Sequence, residues 1–251
     1  MAGRAQPARR TRRELSQNFL RSRRLAADIV RGLDVRADEL VVEIGAGDGR
    51  LTRELCRHAG RVIAIELDSH WAARLRGRFD VVEGDALTVE LPREPYRVVG
   101  NVPFDRTTAI LHRLLDDPAV PLTRADLIVQ WEVARKRAAV VPSTLLSLEW
   151  GPWWELALLR RLDASAFVPR PDVDAALLRI VRREPALVDL RDTRQYRVFV
   201  RRAFAGGLRS AVPPLVLKRA SAALGFARDA QARDLDVHQW AGLYAVIRRN
   251  G

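Results

Sequence analysis

The sequence predicts an α/β fold, a parallel sheet covered by helices on both faces, followed by a small C-terminal helical domain. Three observations carry this expectation. Short apolar runs alternate with segments of helical period through roughly the first 183 residues, a glycine-rich turn follows the first run, and beyond Arg183 only helical spacing remains.

Taken in order, Met1 to Arg13 is polar and basic (Arg4, Arg9, Arg10, Arg12, Arg13) with no apolar period, and residues 1–15 read as a flexible arm. Leu25, Ile29, Val30 and Leu33 recur at helical spacing and predict a helix through Ser22–Gly32. Leu40–Ile44 is a short apolar run that predicts a strand, and Leu51 to His58 reads as helix. Arg61–Glu66 predicts the second strand, with a helix through Trp71 and Leu75 after it. Asp80–Glu83 and Tyr96–Gly100 predict the third and fourth strands, Thr107–Leu115 a helix, and Ala125–Trp131 the fifth strand. Glu155–Leu162 and Ala175–Val181 have no clear helix between them and fit an antiparallel pair at the sheet edge. In the tail, Tyr196, Phe199, Val200, Ala203 and Phe204 follow helical spacing, as do Leu215, Leu217 and Leu224, then Trp240, Leu243, Val246 and Ile247. The expected division is an α/β domain over residues 16–183 and a helical domain over 184–251.

Composition narrows the partner. Lys and Arg total 43 against 31 Asp and Glu, a net +12 with pI near 11.2, and lysine occurs only at Lys136 and Lys218. A GC-rich genome accounts for arginine over lysine but not for the excess of cations, which predicts a polyanionic partner such as nucleic acid. The single cysteine, Cys56, permits no intrachain disulfide and favours a cytoplasmic setting. There is no apolar stretch long enough for a membrane span or a secretory signal. His58, His70, His112 and His238 lack metal-ligand spacing, so no metal is expected.

The chemistry is read from the strand ends. Glu43-Ile44-Gly45-Ala46-Gly47-Asp48-Gly49 forms the first strand-to-helix turn, and its glycines permit close backbone approach to a ligand. A dinucleotide fingerprint would place its third glycine at position 50, which is Arg50. Glu43 would be unfavourable beside a pyrophosphate and harmless beside a ligand lacking phosphate. Glu66, followed by Leu67, ends the second strand at the distance where an acid accepts from ribose hydroxyls. Asp85, followed by Ala86, can accept from an adenine amino group. Each acid alone is also consistent with a helix cap. Together they describe a pocket for a nucleoside with a cationic, phosphate-free tail, which S-adenosyl-L-methionine fits better than NAD.

Asn101-Val102-Pro103-Phe104 follows the fourth strand at the same sheet edge. An exocyclic adenine amine is a poor nucleophile because its lone pair is delocalised into the ring. The Asn101 side-chain oxygen and the Val102 carbonyl can each accept one N–H and favour a pyramidal nitrogen. Pro103 stiffens the turn, and Phe104 can stack on the base. The same four residues are also consistent with an ordinary strand-terminating turn. Cys56 falls in a predicted helix, which argues against a covalent cytosine mechanism.

With Ser16-Gln17-Asn18-Phe19-Leu20 and Phe167-Val168-Pro169-Arg170-Pro171-Asp172-Val173-Asp174 added, the motif order over residues 16–183 resembles the Erm family of 23S ribosomal RNA adenine-N6 methyltransferases. These enzymes confer macrolide–lincosamide–streptogramin B resistance, and the wider superfamily includes small-subunit rRNA adenine dimethyltransferases. The resemblance implies a Rossmann-like S-adenosylmethionine-dependent methyltransferase fold and 23S rRNA as partner, with the protein acting as a monomer. It implies that Asn18 and Leu20 join Gly45, Ala46, Gly47, Glu66, Leu67, Asp85, Ala86 and Asn101 around the cofactor, and that Phe167 closes over the second face of the adenine. From the residues alone, Asn18 is equally a helix cap and Phe167 equally a core residue. Gln130–Arg137 and the Trp150–Trp154 cluster resemble actinobacterial members. Arg135, Lys136 and Arg137 are candidate RNA contacts or a solvated helix end, and Arg201 and Arg202 are candidates in the tail. Ala205–Arg209 departs from the Gln-Arg-Arg-Lys run often seen there. Two other readings stand beside this one: a small-subunit rRNA dimethyltransferase, and a non-catalytic nucleic-acid-binding relative.

Overall fold

A computed structural model describes residues 18–141 and 144–250; the basic arm expected over residues 1–15 lies outside them. Its strands are β1 (Phe19–Leu20), β2 (Leu40–Ile44), β3 (Arg61–Glu66), β4 (Asp80–Glu83), β5 (Tyr96–Asn101), β6 (Leu122–Gln130), β7 (Trp154–Leu162), β8 (Phe167–Val168) and β9 (Ala175–Arg182). The helices are α1 (Arg23–Arg31), α2 (Arg50–Leu55), α3 (Ser69–Leu75), α4 (Thr107–Leu115), α5 (Trp131–Arg137), α6 (Leu145–Trp150), α7 (Thr193–Gly206), α8 (Leu208–Ala211), α9 (Pro214–Leu224) and α10 (Val237–Asn250).

The main sheet has the order β4-β3-β2-β5-β6-β9-β7. Strands β4 to β6 pair in parallel, while β9 runs antiparallel to both β6 and β7, as the edge pair predicted from the sequence. Central strand β2 is buried along its whole length because helices cover both faces, which is why it reads as a run and not as an alternation. The period of two still sorts its neighbours. Val42, Ile44, Val98, Leu127 and Val129 enter one apolar cluster, and Val41, Val99 and Ile128 enter the cluster on the other face.

Local chemistry sets the helix starts. Ser22 is extended and its hydroxyl accepts from Leu25 N, so Ser22, and not Asn18, caps α1. Asp68 caps α3 in the same way, through His70 N. Two sequence expectations shift at their ends. The helix expected to reach His58 stops at Leu55, with Cys56 as its C-cap. The strand expected to include Trp131 ends at Gln130, because Trp131 opens α5, a run of helix-favouring residues tied by an i,i+3 Glu132–Arg135 pair.

The helical tail does not carry a separate core. Trp153 meets Tyr196 edge-on at 5.7 Å, Tyr196 meets Tyr244 at 5.4 Å, and Phe199 meets Trp240 at 5.7 Å. Trp150, Trp153, Tyr196, Val200 and Trp240 belong to the same buried cluster as Val98 and Leu127 of the sheet. Burial of these large aromatics against the sheet's helical cover fixes the tail to the α/β unit. Leu215, read as part of the tail's apolar stripe, is instead 61% exposed.

Candidate active site

The carboxyl ends of β2, β3 and β5 and the loop after β4 open into one cleft. Backbone turns, not long side chains, shape its floor. Gly47 has φ +54°, and a Cβ there would stand 2.6 Å from the Phe19 ring, so the absence of a side chain lets Phe19 close one wall.

Glu66 is almost wholly buried at the end of β3. Its Oε2 accepts from Gly47 N at 2.6 Å and its Oε1 from Asp68 N at 2.8 Å. These bonds pin the carboxylate across the glycine turn and leave each oxygen one further lone-pair site, a geometry suited to vicinal hydroxyls. Burial raises its pKa above the ordinary carboxylate range, against the opposing backbone N–H bonds from Asp68 and Gly47. Asp85 Oδ1 accepts from Leu87 N at 2.9 Å, which orients the carboxylate. Ile65, Ala86 and Leu87 supply apolar walls for a flat base, and Arg106 is the only cation among the lining residues described. Two carboxylates, apolar walls and no cationic clamp fit a nucleoside with a positive tail and do not fit a pyrophosphate. This donor set matches S-adenosylmethionine.

Glu43 gives a different reason for that fit from the one the sequence suggested. Its side chain is completely buried and does not line the cleft. Burial, opposed by the neighbouring Thr52 and reinforced by the charge of Glu66, pushes its pKa up to about 8. At neutral pH it is therefore mostly uncharged, and its expected repulsion of a pyrophosphate does not operate.

Asn101 is the last residue of β5. Its Nδ2 donates to the Asn18 carbonyl at 2.6 Å, which assigns the amide and turns Oδ1 away from that bond as an acceptor. Val102 N donates to Ile128 O at 3.3 Å, and Pro103 (φ −56°, ψ 131°) directs the chain into a short 3-10 turn starting at Phe104. Asn101, Val102, Pro103 and Phe104 all line the cleft, together with Asn18, Gly45, Gly47, Glu66, Leu67, Asp85 and Ala86.

Three residues expected at the site are not among those lining the cleft. Leu20 and Phe167 face each other across the β1–β8 pair, and both are buried in the cluster beneath the sheet. Strand alternation explains this, since in a two-residue strand Phe19 and Leu20 point to opposite sides. Phe19, which sequence reasoning left out although it sits inside the Gln17–Leu20 motif, is the one that lines the cleft. The Phe167 ring is fully buried, so in this arrangement it closes over nothing in the cleft. Ala46 packs with Ala64 and Leu75, and its N–H bonds Ile65 O. Among the basic candidates, Arg135 is paired with Glu132 and Arg201 with Glu149, while Arg137 is half-buried over Trp150 and donates to Thr144 Oγ1. Lys136 and Arg202 are exposed and have no ion pair among the described residues. Arg106, at the cleft mouth, carried no sequence signal beyond its position two residues past Phe104.

Residues 8–243 match the family model described as ribosomal RNA adenine dimethylase. The mycinamicin-resistance protein MyrB of Micromonospora griseorubida is 38% identical over 259 aligned positions, covering 98% of this chain and 82% of that protein. An rRNA adenine N-6-methyltransferase of Corynebacterium diphtheriae is 38% identical over 199 positions, 77% of each chain. Among solved structures, the 23S rRNA methyltransferase ErmE superposes with a TM-score of 0.81 at 30% identity, covering 92% of this chain and all of that one. A dimethyladenosine transferase from Plasmodium falciparum shares the fold, with a TM-score of 0.76 at 19% identity.

Proposed function

The chain belongs to the ribosomal RNA adenine dimethylase family and is an S-adenosylmethionine-dependent rRNA adenine-N6 methyltransferase, and from that premise we propose that its target is one adenine of 23S rRNA. Methylation there would block macrolide, lincosamide and streptogramin B binding. The protein would act as a monomer in the cytoplasm, where ribosomes are. Among the described residues no helix is long and apolar enough to cross a membrane.

The observation that carries the chemistry is the Asn101–Asn18 bond. With the amide nitrogen committed, Asn101 Oδ1 is left to accept, and nothing described in the chain donates to it or to the Val102 carbonyl. Two acceptors at the mouth of a nucleoside cleft can each hold one proton of an exocyclic amine and localise its lone pair. Phe104 supplies a ring for the base, and Glu66 and Asp85 fix the opposite end of the site. The cofactor supplies an electrophilic sulfonium methyl when bound. The chain contributes orientation and exclusion of water, so catalysis is positional and needs no covalent protein intermediate. Taking the adenine out of a helix costs a few kcal/mol, and stacking at ~1–3 kcal/mol offsets much of it.

The choice of 23S rRNA is supported by the likeness to the resistance protein, which extends through the helical tail, and by the likeness to ErmE. Expression in a macrolide-sensitive bacterium followed by primer extension on 23S and 16S rRNA tests it. A stop at one 23S adenine with raised drug tolerance is expected. Unmodified 23S rRNA with unchanged sensitivity would refute the assignment.

A further inference from the structure

Among the described residues, a strongly basic concavity is separate from the cofactor cleft. It lies beside it, where the first turns of α1 and α2 meet the end of α3, and Arg23, Arg50, Arg53, Arg74 and Arg78 line it with a single acid, Asp48. The floor is apolar: a Cβ on Gly49 would stand 2.5 Å from a Leu75 methyl, so the α2 turn sits directly on Leu75. Two guanidinium groups are held in place before any ligand arrives. Arg50 is fixed by Asp48 at 3.2 Å and by the Leu20 carbonyl, and Arg74 stands over the Trp71 ring at 5.4 Å. Arg23, Arg53, Arg74 and Arg78 form no ion pair with any described carboxylate, although arginine–carboxylate pairs are common elsewhere, as at Arg57–Glu54 and Arg61–Asp80. Asp48 offsets one of the five like charges on this hollow, and an anion bound there would offset more.

One aromatic pair forms the partition between the two clefts. Trp71 lines the arginine side and Phe19 the cofactor side, with ring centroids 5.3 Å apart. A polynucleotide with one base in the cofactor cleft would therefore carry neighbouring phosphates to the arginines.

We propose that this cleft binds the backbone phosphates of the single-stranded RNA flanking the target adenine, an RNA-contact surface separate from α5 and from the helical tail. The proposal rests on the rRNA reading above. Such contacts hold the strand without reading its sequence, so they set affinity for the RNA while the clamp itself positions the adenine.

The test compares wild type with R53Q/R78Q, R53K/R78K and, as a charge-matched control at the opposite end of the strands, R61Q/R93Q. Each is titrated with a 23S rRNA fragment over a range of salt concentrations. Each phosphate contact on a single strand contributes about 0.7 to the log–log salt slope. Losing two lowers the slope by about 1.4 and weakens binding at 0.1 M salt by roughly ten- to thirtyfold. R53Q/R78Q should show both effects and a raised KM for RNA, with kcat, melting temperature and S-adenosylmethionine affinity unchanged. R53K/R78K and R61Q/R93Q should stay near wild type. If wild type methylates the fragment and R53Q/R78Q keeps its affinity and slope, the cleft is not an RNA site and the functional reading stands. A wild type without RNA affinity overturns both.

Discussion

Replacing Glu43 by glutamine should make the protein more stable in mild alkali and leave it little changed in mild acid. Glu43 lies wholly inside the protein, and burial holds its carboxyl pKa at about 8, against an ordinary value of 4.5. The sign follows from proton linkage. Between these two values the folded state binds a proton that the unfolded state has released, so stability falls as pH rises, until the folded state also ionises. One pKa unit corresponds to about 1.36 kcal/mol, so the full penalty is on the order of 5 kcal/mol and the part developed between pH 5 and pH 8 is about 3.5 kcal/mol. The amide of Glu43→Gln cannot titrate and avoids it. Groups remote from Glu43 titrate alike in both proteins, so the difference in unfolding free energy reports this residue together with its coupling to Glu66 and Cys56. For a chain of this size, a difference of about 3.5 kcal/mol corresponds to roughly 7–14 °C in melting temperature. Urea unfolding of both proteins at unit pH steps from 5 to 9 measures it. A stability difference that does not change with pH would refute the reasoning and mean that Glu43 is charged or solvated in the folded state.

Three further predictions follow from neighbouring residues. Glu66→Gln should weaken S-adenosylmethionine binding at pH 8 and flatten the loss of affinity that wild type shows as acid protonates Glu66, a loss that begins above the ordinary carboxylate range because burial raises that pKa; calorimetric titration across pH checks both. Asp126→Ala should cost about 3–5 kcal/mol, because Asp126 is fully buried and balances Arg97 at 3.1 Å, Arg124 at 2.9 Å and Arg179 at 2.7 Å; denaturant midpoints measure it. Asn101→Asp should lose as much turnover as Asn101→Ala, roughly 10²–10³-fold. A carboxylate keeps the acceptor but cannot donate to the Asn18 carbonyl, so high activity in Asn101→Asp would show that anchoring is unimportant.

The strands were legible wherever burial on both faces made them uniform: Leu40–Ile44 and Arg61–Glu66 read as runs and are strands to the residue. The short β1–β8 pair was not, because two residues carry no period and the pairing joins segments 148 positions apart in sequence. The same gap hid the true wall of the cleft. A motif indicated that residues 17–20 matter, but only the pairing of Leu20 with Phe167 decides that Phe19 turns toward the site. Charge position behaved similarly. Glu43 and Glu66 both end or nearly end adjacent parallel strands, yet one is neutral scaffold and the other a ligand-facing acid. The distinction lies in how firmly each carboxyl is held: Glu66 accepts two backbone N–H bonds, at 2.6 and 2.8 Å, whereas Glu43 has only the weaker opposition of Thr52 to its burial.

The arginine excess also divides in a way that composition could not reveal. Part of it is scaffold held by backbone carbonyls. Arg182 donates to the carbonyls of Leu122 at 2.9 Å, Pro118 at 2.7 Å and Val120, and stacks over Trp154 at 4.6 Å. Arg97 likewise spans Leu33 O at 2.8 Å and Asp34 O at 2.9 Å while it meets Asp126. A planar guanidinium can bridge several carbonyls where an ammonium cannot, which gives a structural reason for arginine that is independent of codon bias. Guanidinium groups bonded to carbonyls add to the net +12 without being available to phosphates. The salt slope of RNA binding should therefore fall short of what twelve contacts would produce, and the unpaired arginines beside Trp71 are where its largest single share should reside.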